Sequence, residues 1–133
     1  MKSTDYRIRN AREYTVAMSA EYTAMVCAET MWQGEDLAID MVEEVLKQHD
    51  IEEIDTHIVD EHKSYWVADE YEFRLKVNMV IPVEAISFRD AWDCAVEHIE
   101  SIEMPDGVEL ERTDQIDMVL AEEKAYLMRE KVM

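Results

Sequence analysis

The densest run of side chains able to do chemistry is Asp55, His57, Asp60, Glu61 and His62. In an extended segment Asp55, His57 and Glu61 share one face, and imidazole together with carboxylates can hold a divalent ion. The spacing matches neither a closed zinc site nor a calcium loop. So acidic a chain produces such clusters by chance, and a solvated strand face is expected. A second group, Asp69, Glu72, Arg74 and Lys76, has the carboxylates and lysine of a metal-dependent nuclease. Alternating acids and bases on an exposed strand more commonly make cross-strand pairs, and a polyanionic substrate would be repelled. Cys27 and Cys94 could act as nucleophiles only as thiolates, which need an electropositive setting. An acidic body supplies the opposite, so both are expected to be buried structural thiols. His49 and His98 have no matching ligand set, and a chain with two glycines has no Gly-rich phosphate loop. Gly-x-Ser-x-Gly and His-Glu-x-x-His are absent as well. The expectation is a protein without catalytic residues, metal or cofactor, with a metal-dependent enzyme as a remote alternative.

Charge is the loudest signal. Lys and Arg number 13 against 32 Asp and Glu, a formal net charge of −19. The ends are basic, with Lys2, Arg7, Arg9 and Arg12 at one and Lys124, Arg129 and Lys131 at the other. Between Glu13 and Glu123 only 6 basic residues face 30 acidic ones, a net of −24. Such a body repels nucleic acid and anionic membranes and attracts cations or a basic protein. Two acidic regions stand out. Asp90, Asp93, Glu97 and Glu100 step by three and four, a row along one face of a helix. Asp40, Glu43, Glu44, Asp50, Glu52, Glu53 and Asp55 form the other. Helical geometry spaces successive carboxylates of such a row by about 4.5–6 Å along the axis.

Regular rows of carboxylates can stand in for a phosphate backbone and compete for a basic cleft. In size and charge the chain resembles the small DNA-mimic inhibitors that phages and mobile elements direct against restriction or CRISPR systems. The likeness is compositional and carries over no individual residue. It implies a non-enzymatic inhibitor whose partner is a basic nucleic-acid-binding protein, with no direct contact to nucleic acid or membrane. The partner-binding residues expected on this reading are Asp40, Glu43, Glu44, Glu52, Glu53, Asp55, Asp90, Asp93, Glu97 and Glu100. The alternative is a small oligomeric accessory protein whose acidity only keeps it soluble.

The elements that would carry these residues follow from periodicity. Tyr14, Met18, Tyr22, Met25 and Trp32 recur at helical steps, so residues 10–32 are expected to be a helix ended by Gly34. A second helix runs from Glu35 to Gln48 on the apolar face of Leu37, Met41, Val42, Val45 and Leu46. From Tyr71 to Val83 every odd position is apolar, the pattern of a half-buried strand, with Pro82 marking an edge or strand exit. An earlier strand lies within Ile54–Val67 with a bulge or break near His62, and a turn follows near Asp69. Ser87 caps a helix built on Phe88, Ala91, Trp92, Ala95, Val96, Ile99 and Ile102. Met104-Pro105-Asp106-Gly107 ends it. Val108, Leu110, Ile116, Met118 and Leu120 mark a last strand interrupted near Thr113, and a short helix follows from Ala121. The expected fold class is α+β: an N-terminal helical pair (10–48), a ββαβ unit (54–120) whose small, mainly antiparallel sheet packs on a helix, and a tail helix (121–133).

A chain of 133 residues suits a single domain. Two unpaired cysteines, no apolar leader and no membrane-length apolar run indicate a reducing cytoplasm. Tyr6, Ile8, Val16, Val26 and Met31 fall off the main stripe of the expected first helix, which predicts a homo-oligomer.

Overall fold

The structure is a computed structural model that describes residues 11–120. Its elements are β1 (Arg12–Cys27), α1 (Met31–Leu46), β2 (Glu52–Lys63), β3 (Glu70–Ala85), α2 (Phe88–Ser101) and β4 (Val108–Leu120). The four strands form one antiparallel sheet in the order β2-β3-β1-β4. This order interleaves two βαβ units, the ferredoxin-like arrangement. Many unrelated functions share it, so it says nothing by itself about activity.

The expected N-terminal helical pair is therefore wrong. Residues 12–27 are a strand, and only one helix precedes β2. Every even position from Tyr14 to Val26 is buried, and these alternate with Thr15, Ala17, Glu21, Thr23 and Met25 on the other face. β-Branched and aromatic side chains fit a pleated, half-buried surface, and β1 is rich in both. Val16 and Val26, expected to project from a helix toward a second copy, are instead packed in the core. That argument for self-association disappears. Tyr6, Ile8 and the expected tail helix lie outside the described residues.

On β3 the odd positions Tyr71, Phe73, Leu75, Val77, Met79 and Ile81 are buried, as their alternation requires. The register sets Met18 against Met79, Ala20 against Val77, Tyr22 against Leu75 and Ala24 against Phe73, so one face of the two central strands is continuously apolar. Both helices cover this face. α1 presents Gly34, Ala38, Val42 and Leu46, and α2 presents Ala91, Ala95 and Ile99. Gly34 lets α1 approach closely: a Cβ there would lie 3.0 Å from the Phe73 ring.

Local chemistry sets the ends of the elements. The Thr30 hydroxyl accepts the Gln33 N–H at 3.2 Å and starts α1, four residues earlier than the acidic pair Glu35–Asp36 implied. Ser87 caps α2 as expected, accepting the Asp90 N–H at 3.1 Å. Gly107, at φ 86°, makes the turn into β4, where its carbonyl accepts the Met25 N–H at 2.8 Å. Pro82 lies in a central strand rather than at an edge, but pairing of β3 with β2 ends at Val80. Beyond that point β3 has lost its β2 neighbour, so the missing N–H leaves no ladder bond unmade on that side. The irregular alternation of β4 reflects two register shifts against β1, between Ala17 and Met18 and between Glu21 and Tyr22. β2 shifts between Ile58 and Asp60.

Candidate partner-binding surface

The two helices lie on one side of the sheet and hold acids with almost no bases among them. Within their spans α1 holds Glu35, Asp36, Asp40, Glu43 and Glu44, and α2 holds Asp90, Asp93, Glu97 and Glu100. Against these nine acids stands a single base, Arg89. The opposite, uncovered face of the sheet is mixed. Arg74 and Lys76 on β3 and Arg112 on β4 lie among acids, with Glu21 paired to Lys76 in register and 3.8 Å from the Arg112 guanidinium. Asp114 bonds Arg112 at 2.9 Å and raises its pKa further.

The structure does not treat the expected acidic residues alike. Asp40 and Glu44 are exposed on α1, while Glu43 is half-buried and 3.5 Å from Lys47, one turn on. Asp93, Glu97 and Glu100 are exposed along α2. Asp90 belongs to the fold. Its carboxylate accepts the Ile86 N–H at 3.1 Å while its own N–H donates to Ser87, closing the first turn of α2 from both sides. Glu52 and Glu53 are exposed at the start of the edge strand β2, with Glu53 in the left-handed region at φ 50°. Asp55 lies opposite Asn78, on the sheet face that the helices leave open, and bonds His57 at 2.9 Å. The helical rows thus share one side of the molecule and Asp55 is on the other.

The candidate metal cluster is dispersed by the shift in β2. Asp55 with His57, and Asp60 with His62 at 3.0 Å, form two separate pairs on the open sheet face. The hydrogen bond from His62 is the main cause lowering the Asp60 pKa. Glu61 has turned toward α1, where its hydrogen bond to Glu35 raises the Glu35 pKa. Among the described residues no three His, Cys, Asp or Glu are grouped to hold a metal ion. Glu72 and Arg74 line a depression of about 440 Å³ with Thr23, Met25, Gly107, Glu109 and Glu111, but Asp69 and Lys76 are not part of it. Cys27 is exposed rather than buried, at the end of β1 opposite Glu70, and Cys94 is half-buried with its thiol 4.0 Å from Asp90.

One feature escaped the periodicity. Tyr65 and Trp66 project almost wholly into solvent (97% and 94% exposed) from the β2–β3 loop, and Trp32 is 80% exposed on the first turn of α1. Sequence patterning placed the first two within a strand and the third on a core stripe. The apolar doublet between Ser64 and Asp69, with no alternation of its own, was the available signal.

No helix among the described residues is long and apolar enough to cross a membrane. Comparison with protein-family models, curated proteins and solved structures returns no match.

Proposed function

We propose that this chain is a non-enzymatic binding protein of the cytoplasm whose acidic helix layer occupies the basic nucleic-acid-binding cleft of a partner protein. The observation that carries the reading is the segregation of charge: nine acids to one base on the two helices, against a mixed sheet face. Acids occur on both sides of the sheet, but those of the strands are interspersed with Lys63, Arg74, Lys76 and Arg112, whereas those of the helices form rows with almost no base among them. Exposed acids on Asp36, Asp40 and Glu44 of α1 and Asp93, Glu97 and Glu100 of α2 offer two lines of negative charge. Successive charges within a line rise by about 4.5–6 Å, the same order as the roughly 3.4 Å rise per phosphate on one DNA strand. Like charges so spaced weaken a helix slightly, a cost that a binding role would offset.

The experiment is displacement. A partner captured from the native host is loaded with labelled DNA or RNA and titrated with the protein. Wild-type protein should release the nucleic acid, with an affinity that falls steeply as salt rises. The triple substitution Asp93→Lys, Glu97→Lys, Glu100→Lys should abolish release while circular dichroism stays unchanged. Full release by this variant and by Asp40→Lys, Glu44→Lys would refute the mimicry.

A further inference from the structure

We propose that the aromatic tip formed by Tyr65 and Trp66, with Trp32 at the same end of the fold, is a docking element that enters an apolar socket rimmed by lysine and arginine on the partner. This rests on the reading above and adds a second point of attachment to the charged one. Exposed large side chains are ordinary when scattered. Here Tyr65, Trp66 and Val67 are consecutive and exposed. The Cys27–Glu70 pairing and the bond from the Ala28 N–H to the Asp69 carbonyl put the start of α1, with Trp32, at the same end of the sheet. Trp and Tyr dominate the energetics of protein interfaces when buried at their centre.

The tip is held in place. The Ser64 hydroxyl accepts the N–H groups of Trp66 (3.3 Å) and Val67 (3.2 Å), and the Ser64 N–H donates to the Glu70 carbonyl at 2.9 Å. Asp69 turns the chain back at φ 62°, and its carbonyl accepts the Ala28 N–H at 2.8 Å. That bond ties the hairpin loop to the segment leading into α1, four residues before Trp32. Aromatics presented on a fixed turn lose little freedom on binding.

Charge selects the occupant. Glu29, Glu35, Asp36, Asp69 and Glu70 belong to the segments that carry the aromatics, while Lys63 is drawn to the Tyr71 ring at 6.0 Å. A second copy would set these acids against themselves, and an anionic bilayer would repel them. A protein socket with an apolar floor and a basic rim complements both features.

The test uses the full chain and two fluorescein-labelled probes of equal charge: a helical lysine–leucine peptide with one apolar face, and polylysine. Anisotropy should show the wild type binding the lysine–leucine peptide at least tenfold more tightly than polylysine. Tyr65→Ser with Trp66→Ser should lose that preference and keep polylysine binding. The Asp93/Glu97/Glu100→Lys variant should weaken both, so failure of the tip and failure of the acidic rows give different patterns. With 5-fluorotryptophan in the wild type, the resonances of Trp66 and Trp32 should shift on adding the peptide and that of Trp92 should not. Equal affinity of wild type and tip variant for the lysine–leucine peptide would overturn the proposal. So would tip-dependent binding to phosphatidylcholine or phosphatidylserine vesicles, or tip-dependent dimerisation in sedimentation.

Discussion

The imidazole Nε2 of His98 on α2 lies 2.6 Å from the backbone carbonyl oxygen of His49, in the connection from α1 to β2, and the two rings meet edge to face at 6.3 Å. With Nε2 protonated, this is a partly buried hydrogen bond between residues 49 apart in sequence, and it ties α2 to the connection that follows α1. His98→Ala should lower stability by about 1–2 kcal/mol in urea unfolding. His57→Ala, whose side chain is more than half exposed, should stay within about 0.5 kcal/mol.

Asp90 and Asp93 are one turn apart on the same helix and should respond oppositely to substitution. Asp90→Ala removes the acceptor of the Ile86 N–H at the start of α2, an expected loss of about 1 kcal/mol. Asp93→Ala removes only an exposed charge from a repelling row and should be neutral or slightly stabilising. Thermal denaturation of the two single variants checks the contrast.

In an exposed helix, Gly→Ala gains about 1 kcal/mol of helix propensity. Gly34→Ala should do the reverse. The added methyl would meet Cε2 and Cζ of Phe73 at 3.0 Å, and Phe73 is fully buried. Overpacking of about 1–3 kcal/mol then outweighs the propensity, leaving a net loss of about 1 kcal/mol by denaturant titration.

Tyr22 is fully buried, and its hydroxyl has no hydrogen-bond partner among the described residues. Burial pushes its pKa up from 10.0 to about 12. The unfolded chain therefore ionises this phenol first, and the folded state binds more protons between those two values. The stabilisation is complete below pH 10 and is lost as pH rises toward about 12, by roughly 2–3 kcal/mol. Tyr22→Phe should remove that decline. It should also raise stability at neutral pH by about 1 kcal/mol, because the unpaired hydroxyl is gone. Unfolding free energies of the two proteins from pH 7 to 12 give both results.

The type of each of the last five elements was legible in the sequence, although α1 begins four residues before its expected start and the periods of β2 and β4 are broken by register shifts. β3 alternates over its whole buried length, and Ser87 announces α2. β1 was misread for an arithmetical reason. Tyr14, Met18 and Tyr22 are four apart, and a step of four satisfies a period of two as well as one of 3.6. The positions that decide are Val16, Ala20, Ala24 and Val26, all buried and all even. Alanine-rich composition favoured helix, and the small side chains are instead what a central strand under two helices accepts. For the candidate surface, the row on α2 was visible, but the capping duty of Asp90 was not. Nor was the displacement of Asp55 to the far face, which depends on where β2 lies and on its shifts in register. The exposed aromatics could not be found from periodicity, since periodicity locates what is buried.

β1 occupies the middle of the sheet, paired on one side with β3 and on the other with β4. The Tyr14–Leu120 and Ala24–Val108 pairings close loops of roughly a hundred residues, and such loops cost entropy before any contact repays it. The central strand therefore cannot begin to gain its second neighbour until Val108 has been made, and cannot complete that pairing before Leu120. During synthesis the β2–β3 hairpin and α2 can assemble with one edge of β1, while its other edge waits unpaired. That makes folding slow relative to helical proteins of this length, and it leaves the nascent chain an open strand edge. A net charge this large makes like chains repel one another, which opposes association of half-made chains through the interval when that edge is exposed.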